Sequence, residues 1–548
     1  MKQVNKIIIL AAFFLLALLN VKAQYPDIPG DVQKAADSLM KAATKHSDSA
    51  WAVAYPIIKK EAKEGKPYIP WASRADELPQ SEIPAFPGAE GGGKFSFGGR
   101  GGKVLVVTNL NDDGPGSFRW ACEQGGARIV VFNVAGIIRF KSPVIIRAPY
   151  ITIQGQTAPG DGVCLAGETV WINTHDVIIR YMRFRRGETW VGRRDDAIGG
   201  NPIGNIMIDH VSASWGLDEN MSMYRHMYND STGKIEDKFA TVNITIQNSI
   251  FGEALDTWNH AFGSTLGGEN CTFMRNLWAN NAGRNPSVGW NGVFNFVNNV
   301  VFNWVHRSID GGDYRAQFNI INNYFQPGAA TPKNNIGHRI LKPESGRSKL
   351  KERVYGRAYV NGNIMEGYPE ITKDNWNGGV QVEEEGNAGE YTANIKWPKP
   401  LPMPQLIILD ATAAKKYVLA NVGAMLPKRD AVDTRIIKQV ATGKIEYSEN
   451  VKLPETQFKH RRLPIDSYKQ GIITDPSQVG GYPVYQGTPY KDSDNDGIPD
   501  DWEVKNKLNP KDGTDAAKIT GSGYSNIELY LNSVVDINKV KPPVAVKK

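Results

Sequence analysis

The chain has 548 residues, 41% hydrophobic and 22% charged, with only 3 Cys. That length supports a sizeable core and more than one domain, and so few thiols exclude a small disulfide scaffold. The 55 Gly and 32 Pro are too many for a helix-rich fold, and a dispersed formal charge of +7 argues for no nucleic-acid partner.

Residues 1–23 read as a secretory signal peptide. Lys2 and Lys6 give a charged start, Ile7 to Leu19 is an unbroken apolar run, and Val21 to Ala23 offers a small-residue cleavage site. The run falls short of the roughly 20 residues that cross a bilayer, and no second one follows. The expectation is an exported monomer, periplasmic or secreted, that does not span a membrane. Cys122, Cys164 and Cys271 all lie in apolar stretches and are expected as buried free thiols.

From 24 to 82 the pattern predicts a helical leader, with Ala, Lys and Glu recurring over Val32 to Ser47 and Ala52 to Glu64 before Pro67, Pro70 and Pro79. From 83 the texture changes to short β-branched and aromatic runs separated by Gly, Asn and Asp, which read as strands. Eight of these runs align: Ile151, Val177, Ile206, Ile244, Thr272, Asn295, Asn319 and Tyr359 each open one. The position that follows each four-residue run is Gly155, Tyr181, His210, Asn248, Asn276, Asn299, Asn323 and Asn363, at separations of 26, 29, 38, 28, 23, 24 and 40 residues.

A period in the twenties built from short strands predicts a solenoid, and repeats too short for two helices make it a right-handed parallel β-helix. Five Asn at one repeat position suit an interior turn, because Asn tolerates the left-handed conformation and its amide can bond along the axis. The two long periods locate insertions at 217–239 and 327–355, where a solenoid builds binding surface. Lys415 to Ala424 and Ala431 to Val440 read as helices along the solenoid, so the β-helix is expected over 83–440 and a separate tail over 441–548.

In that tail, residues 492–503 place oxygen ligands in the spacing of an EF-hand-type calcium loop. Asp492, Asp494, Asp496, Asp500 and Glu503 supply carboxylates at loop positions 1, 3, 5, 9 and 12, Ile498 supplies a carbonyl, and Gly497 permits the sharp turn. This is expected to be a structural calcium site.

Within the solenoid there is no zinc-protease, phosphate-loop or serine-hydrolase motif. What is left is carboxylates and arginines: Asp209-His210 follows thirteen residues after Asp196 and Asp218-Glu219 nine after Asp209, so that over about one coil these acids could converge on one face. Arg180, Arg183, Arg185, Arg186, Arg193 and Arg194 form a basic stretch in which alternation puts Arg183 and Arg185 on the same side. Those two suit either carboxylate binding by guanidinium forks or a solvated strand edge.

Several motifs in order carry a family resemblance: Phe86 to Gly93 (FPGAEGGG), Val107 to Arg119 (VTNLNDDGPGSFR), Ile153 to Gly160 (IQGQTAPG), Ile208 to Trp215 (IDHVSASW), Gly283 to Pro286 (GRNP) and Val297 to Trp304 (VNNVVFNW). Over about 85–440 the chain resembles the polysaccharide lyases of the pectate lyase type. The resemblance implies calcium-assisted β-elimination of polygalacturonate or pectin. It places Arg284 at the family's catalytic arginine, Asp196 and Asp218 at calcium-binding acids with Glu219 as an adjacent candidate, and His260 near a substrate-binding position. Arg194 stands where relatives carry another Asp, and Asp209 is expected as a structural acid beneath the site.

β-Elimination removes the C5 proton, α to a carboxylate, and expels the C4 oxygen. A cation on that carboxylate withdraws charge as the proton leaves. The alternatives are a pectin lyase acting on methyl esters without calcium, which the acidic cluster disfavours, and a non-catalytic polysaccharide-binding β-helix.

Overall fold

The computed structural model describes residues 28–187, 192–229, 236–258, 260–345, 350–382, 388–453 and 463–536; the predicted signal peptide lies outside them. A single helix, Gly30–Lys63, replaces the two predicted for the leader and runs through Pro56.

The chain then winds into a parallel β-helix with three faces. The first is a ten-stranded sheet that opens with Lys103–Val107, Arg128–Phe132 and Ile151–Gln154 and ends at Ala358–Asn361. The second has nine strands, from Gly136–Arg139 to Ile364–Met365. The third is split into a three-stranded sheet ending at Ile198–Gly200 and a four-stranded sheet starting at Thr265–Leu266. Bridges Ile198 to Met221 and Met223 to Leu266 join the halves. At that join the 217–239 insertion supplies an antiparallel hairpin, Arg225–Asn229 with Glu236–Ala240.

Register follows from side-chain stacking. Ile153, Ile179, Ile208, Ile246, Phe273, Phe296, Ile320 and Val360 are cross-strand partners in successive coils. All lie inside one continuous core, each contributing about 1.5–3 kcal/mol by burial. A slip of one residue would turn the row outward.

The asparagine row is real but divides in two. Asn276 donates through its backbone N–H to Asn299 Oδ1 at 2.9 Å, Asn299 to Asn323 Oδ1 at 2.8 Å, and Asn323 to Asn363 Oδ1 at 2.9 Å. Asn375 continues the ladder, accepting from Asn363 at 3.0 Å. The left-handed residues occupy the preceding row, at His210, Asn248, Arg275, Asn298 and Asn322. Asn248 therefore belongs to the turn row, and Ser249 takes the ladder position, its N–H donating to Asn276 Oδ1 at 2.8 Å. The repeat read from the sequence is therefore one residue out of register before Asn276.

The glycines of the 86–93 motif press a connecting segment flat against the first face. A Cβ on Gly92 would stand 1.8 Å from the Asn270 carbonyl oxygen, so only glycine fits there. The predicted C-terminal helices, Ala411–Asn421 and Ala431–Thr442, cover the second face, where Val418, Val432, Ile436 and Val440 pack on Ile250, Leu277, Val300 and Phe302. The three cysteines are buried and unpaired, as expected.

Candidate active site

The acids and Arg284 meet on the third face because coil stacking brings them there. The Ala197 N–H donates to the Glu219 carbonyl at 3.2 Å, Glu219 bridges Phe262, and Phe262 bridges Gly283. Asp196, Asp218-Glu219 and Arg284 thus lie on neighbouring coils about 4.8 Å apart, although up to 88 positions separate them in sequence.

Carboxylate oxygens of Asp196, Asp218 and Glu219 all lie within 4.8 Å of one another. Arg284 Nη1 pairs closely with Glu219 Oε1 and lies 3.6 Å from Asp218 Oδ1. Thr265 Oγ1 donates to Glu219 Oε1 at 2.7 Å, and the Glu219 N–H donates to Asp196 Oδ1 at 3.0 Å. Phe262 forms a floor, its ring centroid 4.4 Å from the Arg284 guanidinium carbon.

Crowding of like charge sets the protonation pattern. Burial, then the Glu219 carboxylate, pushes Asp196 and Asp218 well above the usual carboxylate range. Burial works against a charged Glu219 as well, but Arg284 outweighs it and holds Glu219 down at about 2. Burial likewise opposes charge on Arg284, and Glu219 and Asp218 overcome it and raise its pKa above the ordinary arginine value.

An open cleft of about 520 Å³ surrounds this cluster. Its walls include Trp171, Asn173, and Tyr224 and Arg225 at the start of the hairpin. Arg194 also lines it, with Nη1 3.4 Å from His260 Nε2. The lining residues come from successive coils of the solenoid.

The sequence is 34% identical over 463 residues to a probable pectate lyase C of Aspergillus flavus, a match spanning 83% of this chain and 95% of that one. The chain belongs to the pectate lyase family. A probable pectate lyase C of Aspergillus fumigatus is also 34% identical, over 82% of this chain and 94% of that one. Pectate lyase 5 of Ambrosia artemisiifolia is 25% identical over 277 residues, covering 45% of this chain and 64% of that one. No family model matches the chain.

Among solved structures, this lyase is similar to the cedar pollen allergen jun a 1, with a TM-score of 0.44 and 18% identity over 61% of this chain and 92% of that one. A pectate lyase from Bacillus sp. N165 in complex with trigalacturonate gives a TM-score of 0.39 and 16% identity over 61% and 98%.

Arg183 and Arg185 do not face substrate in this pectate lyase, contrary to one of the two sequence readings, and they form no solvated edge either. Both are fully buried at 0% exposure beneath the segment leading into the helix Ala431–Thr442. Arg185 Nη2 reaches Asp430 Oδ2 at 2.7 Å and Asp433 Oδ1 at 2.9 Å, and Arg183 Nη2 donates to the Ala424 carbonyl at 3.0 Å. Alternation placed them on one side correctly, but that side is covered by chain some 245 residues later. Arg186 and Arg193 are likewise engaged, by Asp195 and Glu168.

His260 does reach the cluster, with Nε2 3.2 Å from Asp218 Oδ1. It sits beneath the acids instead of on the cleft wall, 1% exposed, with Nδ1 3.0 Å from the Trp258 carbonyl oxygen. Burial lowers its pKa to about 4. Its Nε2 lies against both Asp218 and Arg194.

Asp209 bonds to neighbouring coils as expected but not beneath the acids. It lines a separate cavity at the first face with Phe86, Arg275 and Tyr417.

The sequence reading missed Thr265, which braces Glu219, and the hairpin residues Tyr224 and Arg225. Only the length of the insertion pointed to the latter two.

In the tail, carboxylate oxygens of Asp492, Asp494 and Asp496 gather within 4.8 Å of one another, and so do those of Asp496, Glu503 and Asp515. Asp500 is not among them. It turns away to accept from the Ser493 N–H and Oγ, both at 2.8 Å, and to pair with Lys491. Both Asp500 and Glu503 are buried in the helix Asp500–Asn506, but the Asp500 carboxylate is taken up by Ser493 and Lys491 while that of Glu503 gathers with Asp496 and Asp515. Ile498 buries its side chain against Ile129 and Val131 on the first face, away from the catalytic cleft.

Proposed function

We propose that the cleft cleaves α-1,4-linked polygalacturonate by β-elimination, leaving 4,5-unsaturated ends, with calcium held by Asp196, Asp218 and Glu219. One observation carries this reading: three carboxylates converge beside the Arg284 guanidinium, and the buried Asp218 Oδ1, with His260 Nε2 at 3.2 Å and Arg284 Nη1 at 3.6 Å, makes no hydrogen bond. Oxygens spaced within twice a calcium–oxygen distance of about 2.4 Å, on acids short of counter-charge, fit that ion.

Bound calcium would supply electrophilic withdrawal of charge from the substrate carboxylate while the C5 proton is removed. The chain's own residues do the rest. Thr265 and Arg284 fix Glu219, and His260 lies against Asp218, so the acids are held before substrate arrives. Arg194, on the cleft wall, offers a guanidinium to a uronate carboxylate.

Arg284 is protonated while Glu219 and Asp218 face it, and in that state it is a donor for developing negative charge. It becomes an acceptor for the C5 proton only as those acids are neutralised. A methyl-esterified substrate would leave this acidic constellation without a partner, which favours the free acid over its ester.

Export fits the charged start and apolar run of residues 1–23, and among the described residues no helix is long and apolar enough to cross a membrane. The test is the ultraviolet absorbance of unsaturated product from polygalacturonate, with calcium and with chelator. Product that forms only with calcium is expected. No product in calcium would sink the lyase reading, and undiminished product in chelator would sink the calcium assignment.

A further inference from the structure

Six carboxylate oxygens in the tail are buried with no hydrogen-bond partner: both of Asp494, Oδ2 of Asp496, both of Glu503 and Oδ1 of Asp515. Glu503 is 0% exposed, Asp496 2% and Asp515 6%. A buried carboxylate without donors costs several kcal/mol, and here four acids turn such oxygens toward one another. No Lys or Arg is paired with these oxygens among the described residues. The two triplets of mutually close oxygens share Asp496, the spacing expected when ligands surround one ion with calcium–oxygen distances near 2.4 Å.

We propose that these acids form a calcium site whose ligands come from two separate segments, Asp492, Asp494, Asp496 and Glu503 from the loop and Asp515 from the turn after it, and that the ion latches the tail onto the solenoid. Asp515 takes the place that loop spacing alone gives to Asp500. Gly513 allows it: a Cβ there would sit 3.0 Å from the Asp494 carbonyl oxygen and 3.7 Å from the Cβ atoms of Asp494 and Asp496, so the 509–515 turn lies directly on the loop. Asp515 Oδ2 is held by the Asn509 N–H at 3.2 Å, leaving Oδ1 for the ion.

The same loop is pressed on the first two strands of the ten-stranded sheet. A Cβ on Gly497 would stand 2.6 Å from Val131 Cγ2, and Ile498, Ile527 and Leu531 bury Ile129 and Val131. Asn133 exchanges two hydrogen bonds with the Tyr490 backbone, at 2.9 and 2.8 Å. A cation that closes the loop onto the 509–515 turn therefore keeps an apolar strand face covered, on a face of the solenoid that carries none of the catalytic acids. The latch is independent of the proposed reaction.

The test uses the full-length chain carrying Asp196→Asn, so that calcium at the cleft is weakened and the tail is read in isolation. Calorimetric titration with calcium should show one tail ion per chain. Asp515→Asn and Glu503→Gln should each weaken that binding at least tenfold, whereas Asp500→Asn should leave it within threefold. Chelator should open the tail to trypsin in the parent, and calcium should restore protection there but not in the Asp515 variant. Lyase activity of Asp515→Asn on the otherwise unmodified chain reports that the solenoid is still folded. Unchanged calcium affinity in Asp515→Asn, equal loss in Asp500→Asn, magnesium binding as tight as calcium, or no tail ion in the parent would each overturn the proposal.

Discussion

Arg284 and Glu219 form an ion pair across the coils of the solenoid, Nη1 to Oε1, and the same nitrogen lies 3.6 Å from Asp218 Oδ1. The arginine is thus tied to two of the acids proposed to hold calcium, so its charge state and theirs are coupled.

Arg284→Lys should lose most turnover, on the order of 100-fold or more, while oligogalacturonate binding by calorimetry changes far less. An ammonium keeps the charge but loses the rigid planar guanidinium that holds Nη1 between Glu219 and Asp218. An interaction made chiefly in the transition state lowers kcat and kcat/KM together, whereas a residue that only holds substrate raises KM at constant kcat. Normal turnover at saturating substrate would reduce Arg284 to a binding residue.

Asp196→Ala should abolish activity at ordinary calcium concentrations and be partly rescued by raising calcium. Removing one of three converging acids lowers ion affinity without breaking the fold, since the core rows do not involve it. Full activity at low calcium would remove Asp196 from the site.

Asp209 offers a stability test away from the cleft. Burial disfavours its charge, but His210 and Arg180 outweigh burial and hold its carboxyl well below the usual range. It is bonded by Arg180 Nε at 2.9 Å and by Gln247 and Asn248, each at 3.0 Å. A depressed folded-state pKa means this stabilisation is fully present above about pH 4, the unfolded value, and is lost as pH falls through the folded one. Denaturant titrations should show the wild type losing stability below about pH 4, and Asp209→Asn should be less stable at neutral pH with a flatter acid limb. Identical acid limbs would exclude Asp209 as a contributor.

The solenoid was legible because its period is written in hydrophobic side chains: Ile153 through Val360 must each return to the core once per coil. The one-residue slip before Asn276 arose because two adjacent rows both favour Asn, one for left-handed turns and one for the ladder, and a single sequence cannot separate them. Asp196, Asp218, Glu219 and Arg284 came from family motifs and are brought together by coil stacking, which local pattern alone does not reveal. Arg183, Arg185 and Asp515 show what stays hidden. Whether a residue is covered, or completes a site, depends on chain that returns from elsewhere, 245 positions away for Arg185 and Asp430.

Arg185 supplies the last prediction, because its burial reverses the role its sequence suggests. If it gripped a uronate carboxylate, Arg185→Ala would raise KM and leave stability nearly unchanged. Buried between Asp430 and Asp433 with no exposure, it should do the opposite, because truncation strips Asp433 of its cation and leaves Asp430 only Arg183, with Nε 3.5 Å away. Breaking one side of such a buried pair costs about 3–5 kcal/mol. Arg185→Ala should therefore lower the denaturant midpoint sharply, with KM for polygalacturonate unchanged in whatever fraction stays folded. Adding Asp433→Asn to Arg185→Ala should recover part of the loss, since the stranded charge is then gone. A raised KM with wild-type stability would return Arg185 to the substrate.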